Sequence, residues 1–152
     1  MDTNEGFYRG YFFCNYYLSS IQQGIQTAHC VANMFVEHEI ADSINSRWID
    51  DKESTEIKQH KLMDWADHHK VIIVLNGGNN FQLQELYADI EKYANEFILP
   101  CSSFQEDEQS LNDTYTCVGV IVPRFVWDSS YLTDDEPTIA FRELIQSAPL
   151  AR

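Results

Sequence analysis

The stretch VIIVLNGGNNFQLQEL, residues 71–86, constrains the fold more than any other part of the chain. The continuous apolar run 71–75 predicts a β-strand covered on both faces. The NGGNNF that follows supplies a Gly-Gly turn with an Asn cap. Leu83, Leu86, Tyr87, Ile90, Ala94 and Phe97 then recur at helical spacing. Strand, tight turn and amphipathic helix in succession are the grammar of an α/β domain.

Three further strands are expected, at 11–17, 101–105 and 116–122. In the first, alternation places Tyr11 and Phe13 on one face and Phe12 and Tyr16 on the other. A helix capped by Ser19 or Ser20 follows it. The charged run DDKESTEIKQHK reads as exposed, while Leu62, Met63, Trp65 and Ala66 indicate a second helix running into the strand at 71. After 122, PRFVWDSSYLTDDEP reads as a loop, and TIAFRELIQ as a helix started by Asp134, Asp135 and Pro137. The predicted order is β-α-α-β-α-β-β-α. It implies a three-layer α/β fold with a four-stranded mixed sheet flanked by helices, as a single domain over residues 1–152.

The first helix, SIQQGIQTAHCVANMF, carries two lines. Ile21, Ile25, Ala28, Ala32 and Phe35 form an apolar line, and Gln22, Gln26, His29 and Asn33 form a polar one beside it. The apolar line is expected to be the packing face. Buried amides need partners, so the polar line reads either as a structural network or as the wall of a ligand pocket. The turn Asn76, Gly77, Gly78 is likewise open between a plain strand-to-helix connection and a backbone cradle for an anion.

Charge narrows the function. Ten Lys and Arg face 24 Asp and Glu, for a net charge of -14. Such a field repels phosphate backbones, so nucleic acid is a disfavoured partner. The acidic N-terminus and the absence of a run near the ~20 apolar residues of a membrane helix point to a cytoplasmic chain with no membrane partner. Cys14, Cys30, Cys101 and Cys117 lie without a CxxC pair and read as buried thiols. The histidines lack zinc spacing, so neither a metal nor a cofactor is expected.

Two segments carry a family likeness. QQGIQTAH, and LPCSSFQEDEQSLNDTYTCVGVIVP at 99–123, resemble motifs of the second-type peptidyl-tRNA hydrolases. The likeness spans about residues 11–123, leaving 124–152 as a loop and C-terminal helix. The chain also resembles small tailed-phage proteins with an LNGG turn and an EDExSLN loop. The resemblance implies the hydrolase-type fold and maps Gln26 and His29 onto the family's glutamine and histidine. The family's lysine and arginine fall on Gln22 and Gln105, its aspartate on Glu106, its Ala-Gly on Asp107 and Glu108, and its threonine on Ser110.

Both cations are therefore replaced, and the loop reads QEDE, which leaves no basic floor for a tRNA acceptor stem. The expectation is a non-catalytic protein that reuses the cleft for a small nucleotide-type ligand. The phage likeness extends this to sequestering a host immune signal in the host cytoplasm. The ligand-binding set is Gln22, Gln26, His29, Asn33, Asn76, Gly77, Gly78, Glu106 and Ser110. Two alternatives stay open: an esterase of the peptidyl-tRNA hydrolase type using His29, Glu106 and Ser110, and an acidic inhibitor of a host protein. A homo-oligomer is compatible with each.

Overall fold

The computed structural model describes residues 7–38, 52–106 and 114–151. It is an α/β fold with an open, mixed, four-stranded sheet. Along the chain run β1 (Arg9–Asn15), α1 (Ser20–Glu37), α2 (Lys52–Asp64), a π-helical turn (Trp65–His69), β2 (Val71–Gly78), α3 (Asn80–Phe97), β3 (Cys101–Gln105), β4 (Tyr115–Val122), the short α4 (Arg124–Trp127) and α5 (Glu136–Gln146). The sheet order is β2-β1-β4-β3. β1 runs parallel to β2 and antiparallel to β4, and β3 is antiparallel to β4.

The alternation of β1 separates two cores. Tyr11 and Phe13 enter one cluster with Leu83, Ile90 and Ala94 of α3 and Phe141 and Ile145 of α5. Phe12 and Cys14 enter the other with Cys30 and Met34 of α1 and Leu62 and Trp65 beyond. Phe12 lies across Gly119, its direct partner on β4. A Cβ at Gly119 would sit 2.5 Å from two atoms of that fully buried ring.

Helix ends are closed by side chains. Ser19 and Gln22 form a capping box on α1, and Asn79 and Gln82 form one on α3. Lys61 donates from Nζ to the carbonyls of Phe97 and Ile98 at 3.1 and 3.0 Å, satisfying the C-terminus of α3. Arg142 holds α5 against α4 by donating to the carbonyls of Val126, Phe125 and Tyr131. Among the described residues, no helix is long and apolar enough to cross a membrane.

Three expectations are corrected. β1 ends at Asn15, because the chain turns there: Leu18 N–H returns to the Asn15 carbonyl at 3.2 Å, leaving Tyr16 and Tyr17 exposed. β2 is an edge strand and is not covered on both faces; Ile72 is 49% exposed on the α1 side. Its other face meets the α3 and α5 core through Leu75. Finally, the apolar line of α1 is not its packing face. Ile21 is 77% exposed, and Ile25, Ala28 and Ala32 also face outward, while Gln26, Thr27, Cys30 and Met34 are buried.

A short strap covers part of the open edge. Asn76 N–H donates to the Pro149 carbonyl at 2.8 Å and Ala151 N–H to the Val74 carbonyl at 3.1 Å, with Leu150 bridged antiparallel to Leu75.

Gly119→Ala forces the Phe12 ring from its place and is expected to destabilise the fold by about 1–3 kcal/mol, as overpacking does. Urea unfolding monitored by far-UV circular dichroism measures the loss. An unchanged midpoint would mean that the two strands separate readily.

Candidate functional site

The polar line of α1 meets β3 and β4. Gln26 accepts from the Thr116 hydroxyl at 3.0 Å, and Thr116 also reaches the Phe104 carbonyl at 3.2 Å. Asn33 donates to the Ser103 carbonyl at 2.8 Å and to the Ser102 hydroxyl at 3.3 Å. Ser102 in turn donates to Glu37 at 2.6 Å. His38 Nε2 faces both the carbonyl and the amide of Cys101, at 2.8 and 3.2 Å; its tautomer selects which bond forms. Edge strand β3 is thus fastened to α1 by side-chain bonds. The reason α1 turns Gln26 and Asn33 inward is the surface beneath them. Ser102 and Thr116 are fully buried and offer hydroxyls, so amides satisfy them where isoleucines would not.

The line divides into two parts. Asn33 and the residues after it belong to the β3 clamp. Gln26 also reaches Glu106, with Nε2 3.5 Å from the carboxylate. His29 is exposed, its ring centroid 4.7 Å from that of Phe104. Gln22 is exposed and serves the capping box through the Ser19 amide, at 3.1 Å. Ser110, with Asp107 and Glu108, lies outside the described residues.

A second group gathers where β1 and β2 end. These strands are parallel, so their carboxyl ends share one edge of the sheet. From that edge α1 leaves toward one face and α3 toward the other, the arrangement that opens a crevice in open α/β sheets. Backbone and side chains tie the edge together. Tyr16 N–H donates to the Gly78 carbonyl at 2.8 Å, buried Asn15 donates to the Tyr115 carbonyl at 3.0 Å, and Asn80 accepts from Tyr115 N–H at 2.8 Å. A hollow of about 190 Å³ opens here among Cys14, Asn15, Tyr16, Gln23 and Asn76, closed on one side by Pro149 and Leu150. An adjoining one of about 380 Å³ shares Asn76 and Pro149 and extends past Gly77 and Gly78 to Gln82.

Tyr16, 63% exposed, Tyr17, and Phe81, 67% exposed, stand at this edge. The aromatic run 11–17 predicts strand for both tyrosines, and the turn at Asn15 that exposes them has no strong sequence marker. The segments 15–23, 76–82, 105–106 and 114–115 contain no Lys or Arg. Arg9 lies over the Trp127 ring, 3.5 Å from its centroid, and Arg124 pairs with Asp128 at 3.0 Å, both at the opposite end of the sheet.

The Asn76–Gly78 turn is largely occupied by its own bonds. Gly78 N–H goes to the Asn76 side chain at 2.9 Å, Asn79 N–H to Gln82 at 2.9 Å, and Gln82 N–H to Asn79 at 2.8 Å. These amides serve the turn itself, which favours the connection over the anion cradle. Gly78 is at φ +86°, and a Cβ on Gly77 would come 2.4 Å from Leu83, so each glycine has a local reason.

The thiols of Cys14, Cys101 and Cys117 are held protonated. Burial pushes Cys101 up to about 12 and Cys117 well above the usual range, and Cys14 is raised by its contact with Cys117 and by burial. None of these three has the low pKa of a nucleophilic cysteine. Among the described residues, no three His, Cys, Asp or Glu side chains are grouped to hold a metal ion.

Burial lowers the His38 pKa below 6.5. Folded His38 resists a proton that the unfolded chain takes up near 6.5, so its contribution is complete above that pH and is lost as pH falls below it. Stability measured by urea midpoints should therefore decline from pH 7.5 to pH 5.5, with His38→Gln flattening that decline. An equally steep decline in the variant would assign it to other groups.

The sequence matches no family model, and no curated protein shows significant similarity to it.

Proposed function

We propose that the chain is a non-catalytic binding protein for a small nucleotide-type ligand, held at the carboxyl edge of β1 and β2. The observation that carries this reading is the set of exposed rings at this edge, Tyr16, Tyr17 and Phe81, beside the hollow that Tyr16 helps to line. Aromatic faces of this kind stack on a nucleobase. That segments 15–23 and 76–82 hold no Lys or Arg fits recognition through the base more than through a phosphate chain. It also weighs against tRNA.

The fold assignment belongs to the same proposal. The mixed four-stranded sheet with helices on both faces is compatible with the second-type peptidyl-tRNA hydrolase fold, which the QQGIQTAH segment resembles. Gln26 and Glu106 lie together, as positions carried over from that family would, but Gln26 is engaged by Thr116. The likeness to tailed-phage proteins extends the proposal to sequestration of a host immune signal.

Thermal-shift and calorimetric titration with mononucleotides and cyclic nucleotides tests the reading. At least one should raise the melting temperature of the protein. Tyr16→Ala and Tyr17→Ala should each weaken that ligand by about 10-fold, since stacking on one base contributes about 1–3 kcal/mol. Both side chains are exposed, so the melting temperature without ligand should hold. A ligand whose affinity ignores both substitutions would place its site elsewhere, and a panel without any binder would overturn the proposal.

A further inference from the structure

Three of the four cysteines meet at one point, although the sequence spaces them far apart. Cys14 of β1 stands directly opposite Cys117 of β4 in the antiparallel register, and both side chains enter the core beneath α1. Cys30 reaches the same place from α1. The Cys117 thiol hydrogen-bonds with those of Cys14 and Cys30. Facing residues of antiparallel strands hold their Cα atoms about 4.5 or 5.5 Å apart, and both separations fall within the range that a disulfide spans. Cys14 and Cys117 can therefore be bridged with β1 and β4 as they stand.

Access singles out one of the three. Cys14 lines the hollow of about 190 Å³ at the carboxyl edge of β1. Its Sγ lies 3.8 Å from the carbonyl of Gln23, which lines the same hollow, and 3.4 Å from the Thr27 hydroxyl. Cys30 and Cys117 are fully buried and do not line it. Hydrogen peroxide is little larger than water and fits a hollow of this size.

We infer that Cys14 and Cys117 form a redox modification site, at which a small hydroperoxide joins β1 to β4 through a reversible disulfide. With hydrogen peroxide, the Cys14 sulfur attacks one oxygen and the O–O bond breaks. Cys14 becomes a sulfenic acid, and the other oxygen leaves as water with the thiol proton. The Cys117 sulfur then attacks the Cys14 sulfur, the S–O bond breaks, and a second water carries away the remaining thiol proton. The two thiols lose two electrons together, and the peroxide is reduced to two waters. The first step is slow, because Cys14 is held protonated and the thiolate is the attacking form. The second is fast by placement, since the resolving thiol is already in contact. An external dithiol reverses the link by exchange.

The test treats the native protein with a modest excess of hydrogen peroxide and blocks free thiols in denaturant. Non-reducing peptide mapping by mass spectrometry follows, with chymotrypsin cutting between Cys14 and Cys30 at Tyr16 and Tyr17. The protein should lose two hydrogens, keep two blockable thiols in place of four, and show one link, between the Cys14 and Cys117 peptides, that dithiothreitol removes. The same dose should leave Cys14→Ala unlinked, because the other two thiols do not front the hollow. Cys14→Ser, closer in shape, serves where far-UV circular dichroism shows that the alanine variant is unfolded. A wild-type protein that keeps four thiols overturns the inference. So does a link through Cys30 or Cys101, oxidation that stops at the sulfinic acid, or a link that forms without Cys14.

Discussion

β1 is the strand on which everything else is hung. It pairs on both sides, with β2 in parallel and β4 antiparallel, and its alternate side chains enter opposite cores. Phe13 organises the α3 and α5 side and Phe12 the α1 side, where Gly119 provides the clearance for its ring. The parallel pairing has a second effect. It brings the ends of β1 and β2 to one edge, so the Tyr16 and Gly78 turns are joined by a backbone bond and the aromatic edge is built by the sheet itself.

α1 mixes polar and apolar residues on its inward face, where Gln26 and Asn33 lie beside buried Cys30 and Met34. Its amides and one carboxylate bond to Ser102, Ser103 and Thr116, and its isoleucines face outward. Fastening β3 in this way ties down an edge strand through side chains, where a ladder partner is lacking. It leaves the greasy line of the helix facing the other edge of the sheet, where Ile72 is exposed and Val74 half-buried.

Much of the architecture was legible in the residues. The strand at 101–105 and the order of the main elements follow from apolar runs and turn residues, and the caps at Ser19 and Asn79 from their residue types, though not the return bonds from Gln22 and Gln82. The orientation of α1 was not legible, because periodicity identifies two lines without saying which meets the sheet. That depends on the hydroxyls of Ser102 and Thr116, distant in sequence. The run 71–75 likewise suggests full coverage, whereas position in the sheet decides it: β2 is at the edge. At the candidate site, the Gln26 side chain lies 3.5 Å from the Glu106 carboxylate across 80 residues of sequence, a proximity that only the packing of α1 against β3 creates. The exposure of Tyr16 and Tyr17 was hidden because tyrosine is a good strand former, and only the turn at Asn15 ends the strand.

The strap at Pro149–Ala151 has a consequence for the order in which the protein is made. β2 is complete once Gly78 has left the ribosome, yet the bonds from Pro149 and Ala151 to Asn76 and Val74 cannot form until some seventy further residues have followed. β1, its other neighbour, is available from the start. During that interval the nascent chain carries a parallel pair with a bare outer margin, and an unpaired margin invites strands from neighbouring chains on the same message. The strap therefore acts as a late seal, and crowded translation is the condition under which its delay matters most.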